Sequence, residues 1–325
     1  MAAGDGNAMH LICGEALYDV FVNGESHGAG GEVALQAVPG GSPFNVAIGM
    51  ARLGRQVGFA SDLATDFLGD RIAAQLVQEG VSDMFLRRSA TTTALAIVAT
   101  DEVGKPSYSF SGLEQAIYCP VPESINQHEK GISGIHVGSI ATVLPNSSVQ
   151  LCDLVRRFAD RALISFDPNI RLSVVPDHGV WRQAIEHIRP FCHVVKVSEE
   201  DIATLFADVD QDALCRSWLG DRTALVALTK GPDGAVLFTR GAGRITIPLV
   251  ETVVADTVGA GDSFMAALLS MLIRMGWVSS EAIAQLDAEQ LRSLGSFAAL
   301  AASVTCSRRG PMLPTSSELE PLTRR

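Results

Sequence analysis

The sequence predicts an α/β protein: a doubly wound, mostly parallel sheet in a three-layer α/β/α arrangement, with a small β-sheet lid outside it. Three observations carry that expectation. From Gly134 onward, short apolar runs at 135–137, 163–166 and 193–196 alternate with helix-length stretches at 147–159 and 180–188, the pattern of successive βαβ units. The segments 91–100 and 107–111 are β-rich and joined by the turn-like Asp101-Glu102-Val103-Gly104-Lys105-Pro106; with the glycine-broken stretch 19–39 they make a second, smaller sheet. Finally, an apolar helix read over 264–273 begins directly behind Gly259-Ala260-Gly261-Asp262.

In chain order, Leu11-Ile12-Cys13 runs into Gly14 as a buried first strand whose carboxyl end faces a ligand crevice. Residues 19–39 read as a hairpin with a mobile tip, broken at Gly24, Gly28, Gly30 and Gly31. Gly28-Ala29-Gly30-Gly31 lacks the G-x-G-x-x-G spacing and no helix follows, so it is not a dinucleotide loop. The next helix starts at an N-cap Ser42 with Pro43 in the first helical position; Val46, Met50 and Leu53 share a face and Gly54 stops it. Asn45 then sits in the first turn beside the crevice, where its amide can both donate and accept.

Residues 57–61 read as a strand and 67–79 as a helix with Leu68, Ile72 and Leu76 on one side. Residues 224–228 form a strand running into Lys230-Gly231-Pro232-Asp233-Gly234, and 235–238 return as a hairpin partner. A long apolar helix follows at 291–304, and the polar residues 315–325 read as a fraying tail. The organisation expected is one domain over 1–325, with the lid inserted from about 19–39 and 91–117.

Bulk properties exclude several classes. No uncharged apolar run approaches the roughly 20 residues needed to span a bilayer. The first seven residues carry an acid and no base, unlike a secretory signal, so a cytoplasmic protein is expected. A net charge of −11 argues against nucleic acid or an acidic membrane surface as partner. The six cysteines form no C-x-x-C pair and read as reduced packing residues rather than zinc ligands.

The chemistry concentrates in Asp256-Thr257-Val258-Gly259-Ala260-Gly261-Asp262-Ser263-Phe264. The two glycines leave backbone N–H groups free to face an anion at a helix start. Asp262, in that first turn, would repel a phosphate unless it has another task, and general base for an alcohol is the task proposed. The plain alternative is a helix cap behind a glycine turn. Other polar residues collect after strands: Asp167, Asn169 and Arg171 behind Phe166, and Lys196 with Ser198 behind Val195. Asp167-Pro168-Asn169 also suits a simple turn.

The 256–264 stretch resembles the C-terminal signature of the ribokinase (PfkB) family of sugar kinases. Gly40-Gly41-Ser42-Pro43-Phe44-Asn45-Val46-Ala47, far upstream, resembles that family's sugar-binding glycine pair and helix. Cys13-Gly14-Glu15-Ala16-Leu17-Tyr18-Asp19, Asp167-Pro168-Asn169-Ile170-Arg171 and Lys196-Val197-Ser198-Glu199-Glu200 resemble the fructokinase branch.

The resemblance, running from about Leu11 to Pro314, implies a ribokinase-like fold and an ATP-dependent sugar kinase, best read as fructokinase making fructose 6-phosphate. It implies that Asp19, Gly41, Asn45 and Arg171 hold the sugar, that Asp262 is the base, and that Gly259, Ala260 and Gly261 form the anion hole. Lys196, Ser198, Thr229, Gly231 and Gly234 are implied on the nucleotide side. Mg²⁺ is implied near Asp201, through water because Asp replaces the family's Glu, and K⁺ near Asp256. The helix at 291–304, with Ala298 and Ala299, resembles the adenine-side wall. A homodimer through the lid is also implied. 2-Keto-3-deoxygluconate kinase and ribokinase share these motifs, and an inactive sugar- or nucleotide-sensing homologue is the reading from another class.

Overall fold

Strands that are apolar along their whole length need cover on both faces, and the chain supplies it with helices in two layers. A computed structural model describes residues 8–22, 33–100, 106–113 and 122–323. The first half runs β1 (Met9–Cys13), β2 (Leu17–Val22), β3 (Leu35–Gly40), α1 (Ser42–Arg52), β4 (Val57–Ala64), α2 (Phe67–Gln78), β5 (Leu86–Ser89), β6 (Leu95–Thr100), β7 (Pro106–Ser111), α3 (Pro122–His128), β8 (Ile132–Gly138) and α4 (Ser148–Phe158). The second runs β9 (Leu163–Asp167), α5 (His178–Ile188), β10 (Val194–Ser198), α6 (Glu199–Leu205), α7 (Gln211–Trp218), β11 (Leu225–Thr229), β12 (Ala235–Thr239), β13 (Gly243–Ile247), α8 (Ala260–Met275), α9 (Ser280–Ala284), α10 (Ala288–Cys306) and α11 (Ser316–Thr323).

The main sheet has nine strands in the order β13-β12-β11-β10-β9-β8-β1-β4-β5. Every pair from β11 to β5 is parallel, while β12 and β13 close one edge in antiparallel fashion. One face packs beneath α1, α8 and α10 around Met50, Phe264, Leu268 and Leu294. The other packs against α4, α5, α6 and α7 around Phe158, Trp181, Ile202 and Trp218. Register lines up the carboxyl ends: Cys13 opposes Val137, Gly138 opposes Asp167, and Ser198 opposes Thr229. The expected crevice residues therefore share one rim.

The small sheet has the order β3-β2-β6-β7, parallel at β2/β6 and antiparallel elsewhere. It forms the expected lid. The hairpin tip, with Gly24, Gly28, Gly30 and Gly31, lies outside the described residues, as do Asp101 to Lys105 and the end of the lid segment at 114–117.

Four differences from the sequence reading have physical causes. β5 is polar and half exposed, and β13 alternates at an edge, so neither shows the apolar run of a central strand. α8 starts at Ala260, so the glycine segment is itself the first turn. Ala298 is fully buried within the core and cannot wall a ligand, whereas Ala299 is half buried. The expected tail instead forms α11, because Leu319 buries completely and Glu318 pairs with Arg308. Among the described residues, no helix is long and apolar enough to cross a membrane.

Candidate active site

Asp262 lies in the first turn of α8, and two side chains from α1 clamp it. Ser42 Oγ donates to Asp262 Oδ1 at 2.7 Å and Asn45 Nδ2 donates to Oδ2 at 2.8 Å. The helices approach closely because Gly49 has no side chain: a Cβ there would stand 2.8 Å from Ala266 Cβ and 2.4 Å from Leu313 Cδ2. Burial pushes the Asp262 carboxyl above its ordinary range, and the Asn45 and Ser42 hydrogen bonds, Lys196 and Arg171 pull it back. The result is an acceptor that burial makes basic and fixed donors hold in place.

The start of α8 is open to an anion. Gly259 caps it in the left-handed region at φ 78°, with no side-chain cap, and Ala260 and Gly261 follow within the first turn. The space that a Cβ on Gly261 would fill lies 3.0 Å from Lys196 Nζ. Lys196 is buried at the middle of β10 and pairs with Asp167 Oδ2 at 2.6 Å. Burial works against its ammonium, but Asp167, Asp201 and Asp262 outweigh that and keep it charged. Asp167 Oδ1 is buried without a protein partner. A cradle of backbone donors beside a fixed ammonium fits a transferring phosphoryl group.

Asp201 is placed differently from a first-hand metal ligand. Its Oδ1 accepts from Ile170 N at 2.8 Å and its Oδ2 from Ser198 N at 3.2 Å, while Ser198 Oγ accepts from Asp201 N at 3.0 Å. The two residues form a capping box on α6. Among the described residues, no group of three His, Cys, Asp or Glu could hold a metal ion. Both Asp201 oxygens already accept backbone N–H bonds, so a divalent cation held here would be reached through water.

A second group of polar residues lies near Asp262. Asp19 in β2 lies against Gly40, where a Cβ would stand 2.2 Å from Asp19 Oδ2. Burial raises Asp19 to about 6; Arg171 lowers it and Asp262 raises it further, so the three groups sit within one field. Gly41 has φ 108°, and a Cβ on it would stand 2.7 Å from Glu15 O, so the turn into α1 requires glycine. Arg171 is exposed behind β9, with Nη1 donating to Ile170 O at 2.9 Å, and its charge also reaches Glu15. Asn169, at φ 41°, makes the left-handed turn that aims this loop.

On the other side of the rim, Thr229 sits in register with Ser198, and its hydroxyl contacts Val197 O at 3.5 Å. Gly231 (φ 50°) and Gly234 (φ 79°) form the tight turn into β12; a Cβ at Gly234 would collide with Ile247 O at 2.3 Å. Asp256 joins the approach to α8 to the end of α10: Oδ1 accepts from Val258 N at 3.1 Å and Oδ2 from Gly310 N at 2.9 Å.

Two residues of the site escape a reading of the sequence. Ser42 looks like a helix cap, but Gly41 holds that position and the Ser42 hydroxyl turns to Asp262 instead. Its spacing of three from Asn45 is the available signal, since i and i+3 share a helix face. Glu15, buried beside the β8 turn, accepts from Ala141 N at 3.3 Å; nothing local distinguishes it from a solvated turn acid.

An oriented carboxylate, an anion-binding helix start, a buried ammonium and a polyol-facing lid together suit phosphoryl transfer to an alcohol. Comparison with known proteins agrees. The pfkB family carbohydrate kinase model matches residues 8–318. The chain is 30% identical over 285 residues to a fructokinase of Rhizobium leguminosarum bv. trifolii, covering 88% of this chain and 86% of that protein. It is 30% identical to probable fructokinase-4 of Arabidopsis thaliana, covering 99% of each. Among solved structures, fructokinase with bound ATP from Xylella fastidiosa superposes with a TM-score of 0.84 at 26% identity over 98% of both chains. The fold is thus ribokinase-like, and the chain belongs to the PfkB family of carbohydrate kinases, ATP-binding phosphotransferases with an alcohol group as acceptor.

Proposed function

We propose that this kinase phosphorylates a neutral ketohexose, converting D-fructose to fructose 6-phosphate. Asp19, the Gly41 backbone, Asn45 and Arg171 hold the sugar hydroxyls. Asp262 takes the proton of the attacking hydroxyl. The N–H groups of the Gly259 to Gly261 turn, with Lys196, stabilise the negative charge that develops on the transferring group. Mg²⁺, when bound, neutralises charge on the ATP phosphates; Asp201 reaches it through water. Ser198, Thr229, Gly231 and Gly234 line the nucleotide side, and the Asp256 tie to Gly310 supports a monovalent-cation site there. The lid keeps water from competing for the phosphoryl group. The exposed Val33 and Leu35, the latter on lid edge strand β3, support a homodimer formed through the lid, which sedimentation would measure.

The observation that carries the reading is the clamp of Asp262 by Ser42 and Asn45 at the mouth of an anion-binding helix. The choice of a neutral sugar over a sugar acid rests on charge: Glu15, Asp19 and Asp262 gather about Arg171, and the other cation acting on Asp262, Lys196, is already paired with Asp167, leaving little attraction for a further carboxylate. Relatives named fructokinase support the same choice.

ADP release across fructose, ribose and 2-keto-3-deoxygluconate tests it. Fructose should give the highest kcat/KM; a best substrate among the other two, or thermal stabilisation by sugar without ADP, would sink it. Asp262→Asn should fold, bind ATP and lose about 10²–10⁴-fold in kcat. Near-normal turnover would refute Asp262 as the base.

A further inference from the structure

A serine one residue past a helix cap has no cap to serve. In α1 the N-cap is Gly41, the first intrahelical bond runs from Asn45 N to Gly41 O, and no side chain caps the turn. The buried Ser42 hydroxyl is instead 2.7 Å from Asp262 Oδ1, two hundred and twenty positions away in sequence. Asn45 occupies the other carboxylate oxygen. Each oxygen keeps a further lone pair, so a sugar hydroxyl can still approach.

We propose that Ser42 is a positioning residue for the base: its hydroxyl holds one oxygen of the Asp262 carboxylate and so fixes the group toward the sugar. This rests on the assignment of Asp262 as base. The charged groups facing Asp262 are Asp19 from the lid, Asp167 from β9, Lys196 from β10 and Arg171 from the loop after β9. Burial is the dominant influence raising the Asp262 carboxyl, and the Asn45 and Ser42 hydrogen bonds come ahead of Lys196 and Arg171 among those that lower it. The α1 donors are the main local counterweight. A hydroxyl serves this role at both stages of proton transfer: it donates to the carboxylate before transfer and can rotate to accept from the acid afterwards.

Ser42→Ala removes that donor and leaves a buried carboxylate oxygen short of one partner. A hydrogen bond to a charged group is worth enough to move a titration by about one pH unit. The acid limb of kcat/KM, which reports the free enzyme's base, should therefore move to higher pH by about one unit in Ser42→Ala. The loss should be about tenfold below the limb and much smaller on the alkaline side. Ser42→Thr, which retains the hydroxyl, should restore the limb. An unmoved limb with a uniform fall at every pH would overturn the proposal and leave a packing effect. The same profile measured on Asp262→Asn separates the two ideas: persistent turnover there defeats the base assignment, whatever Ser42→Ala does.

Discussion

A carboxyl group sealed from water is a poor place for a charge, and Glu15 is 2% exposed. Burial raises it to about 7, although Ser139, its own N–H, the Ala141 N–H and Arg171 all favour the charged form. Its folded value lies above the ordinary 4.5, so its contribution to stability is fully present below about pH 4.5 and is lost as pH rises through about 7. Asp19, raised to about 6, has the same sign. Glu15→Gln should remove that pH dependence while keeping an acceptor for Ala141 N. Between pH 5 and pH 8 the wild type should lose up to roughly 3 kcal/mol more stability than the variant. Urea unfolding at the two pH values measures the difference, and equal losses would exclude Glu15 as the source.

At the scale of one element, the start of α8 separates two glycines by what surrounds them. A Cβ at Gly259 would demand a left-handed conformation and meet Pro311 Cβ at 2.8 Å, whereas at Gly261 it would meet only the tip of the Lys196 side chain at 3.0 Å. Gly259→Ala should therefore cost stability, about 1–2 kcal/mol from backbone strain. Gly261→Ala should melt near wild type yet lose on the order of 10²-fold in kcat, because its methyl displaces a reacting group by about an ångström. Thermal melts beside ADP assays read both. This turn was legible in part: two glycines before an apolar run announce a helix start, but the helix begins at Ala260 rather than behind Asp262. β1, β9 and β10 were legible in the sequence, since their short, mainly apolar stretches leave little choice of burial. Ser42, Asp201 and β5 were not: a hydroxyl, an acid and a polar strand of four residues each fit several local roles. What selects among them is a partner such as Asp262, Ile170 N or β4, which only the tertiary fold supplies.

The molecule as a whole is tied together from its ends. Leu313 packs into the notch at Gly49, Arg52 Nη1 donates to Leu313 O at 2.7 Å, and α11 buries Leu319 against the same core. The last segment thereby braces the helix that clamps the base. Leu319→Ala should lower stability by about 2–4 kcal/mol by opening a cavity, with kcat and KM close to wild type below the melting temperature. Chemical denaturation and steady-state kinetics would check the two halves of that statement, and a matching loss of kcat would mean that the brace extends to catalysis.

β1 is inserted between β4 and β8, so it gains its second neighbour only when residues 132–138 exist. The carboxylate that Ser42 and Asn45 reach for arrives later still. A nascent chain that has passed Asn45 but not yet reached Asp262 therefore holds the two clamp donors without the carboxylate they grip. Termination within that interval leaves Ser42 and Asn45 with no partner from α8.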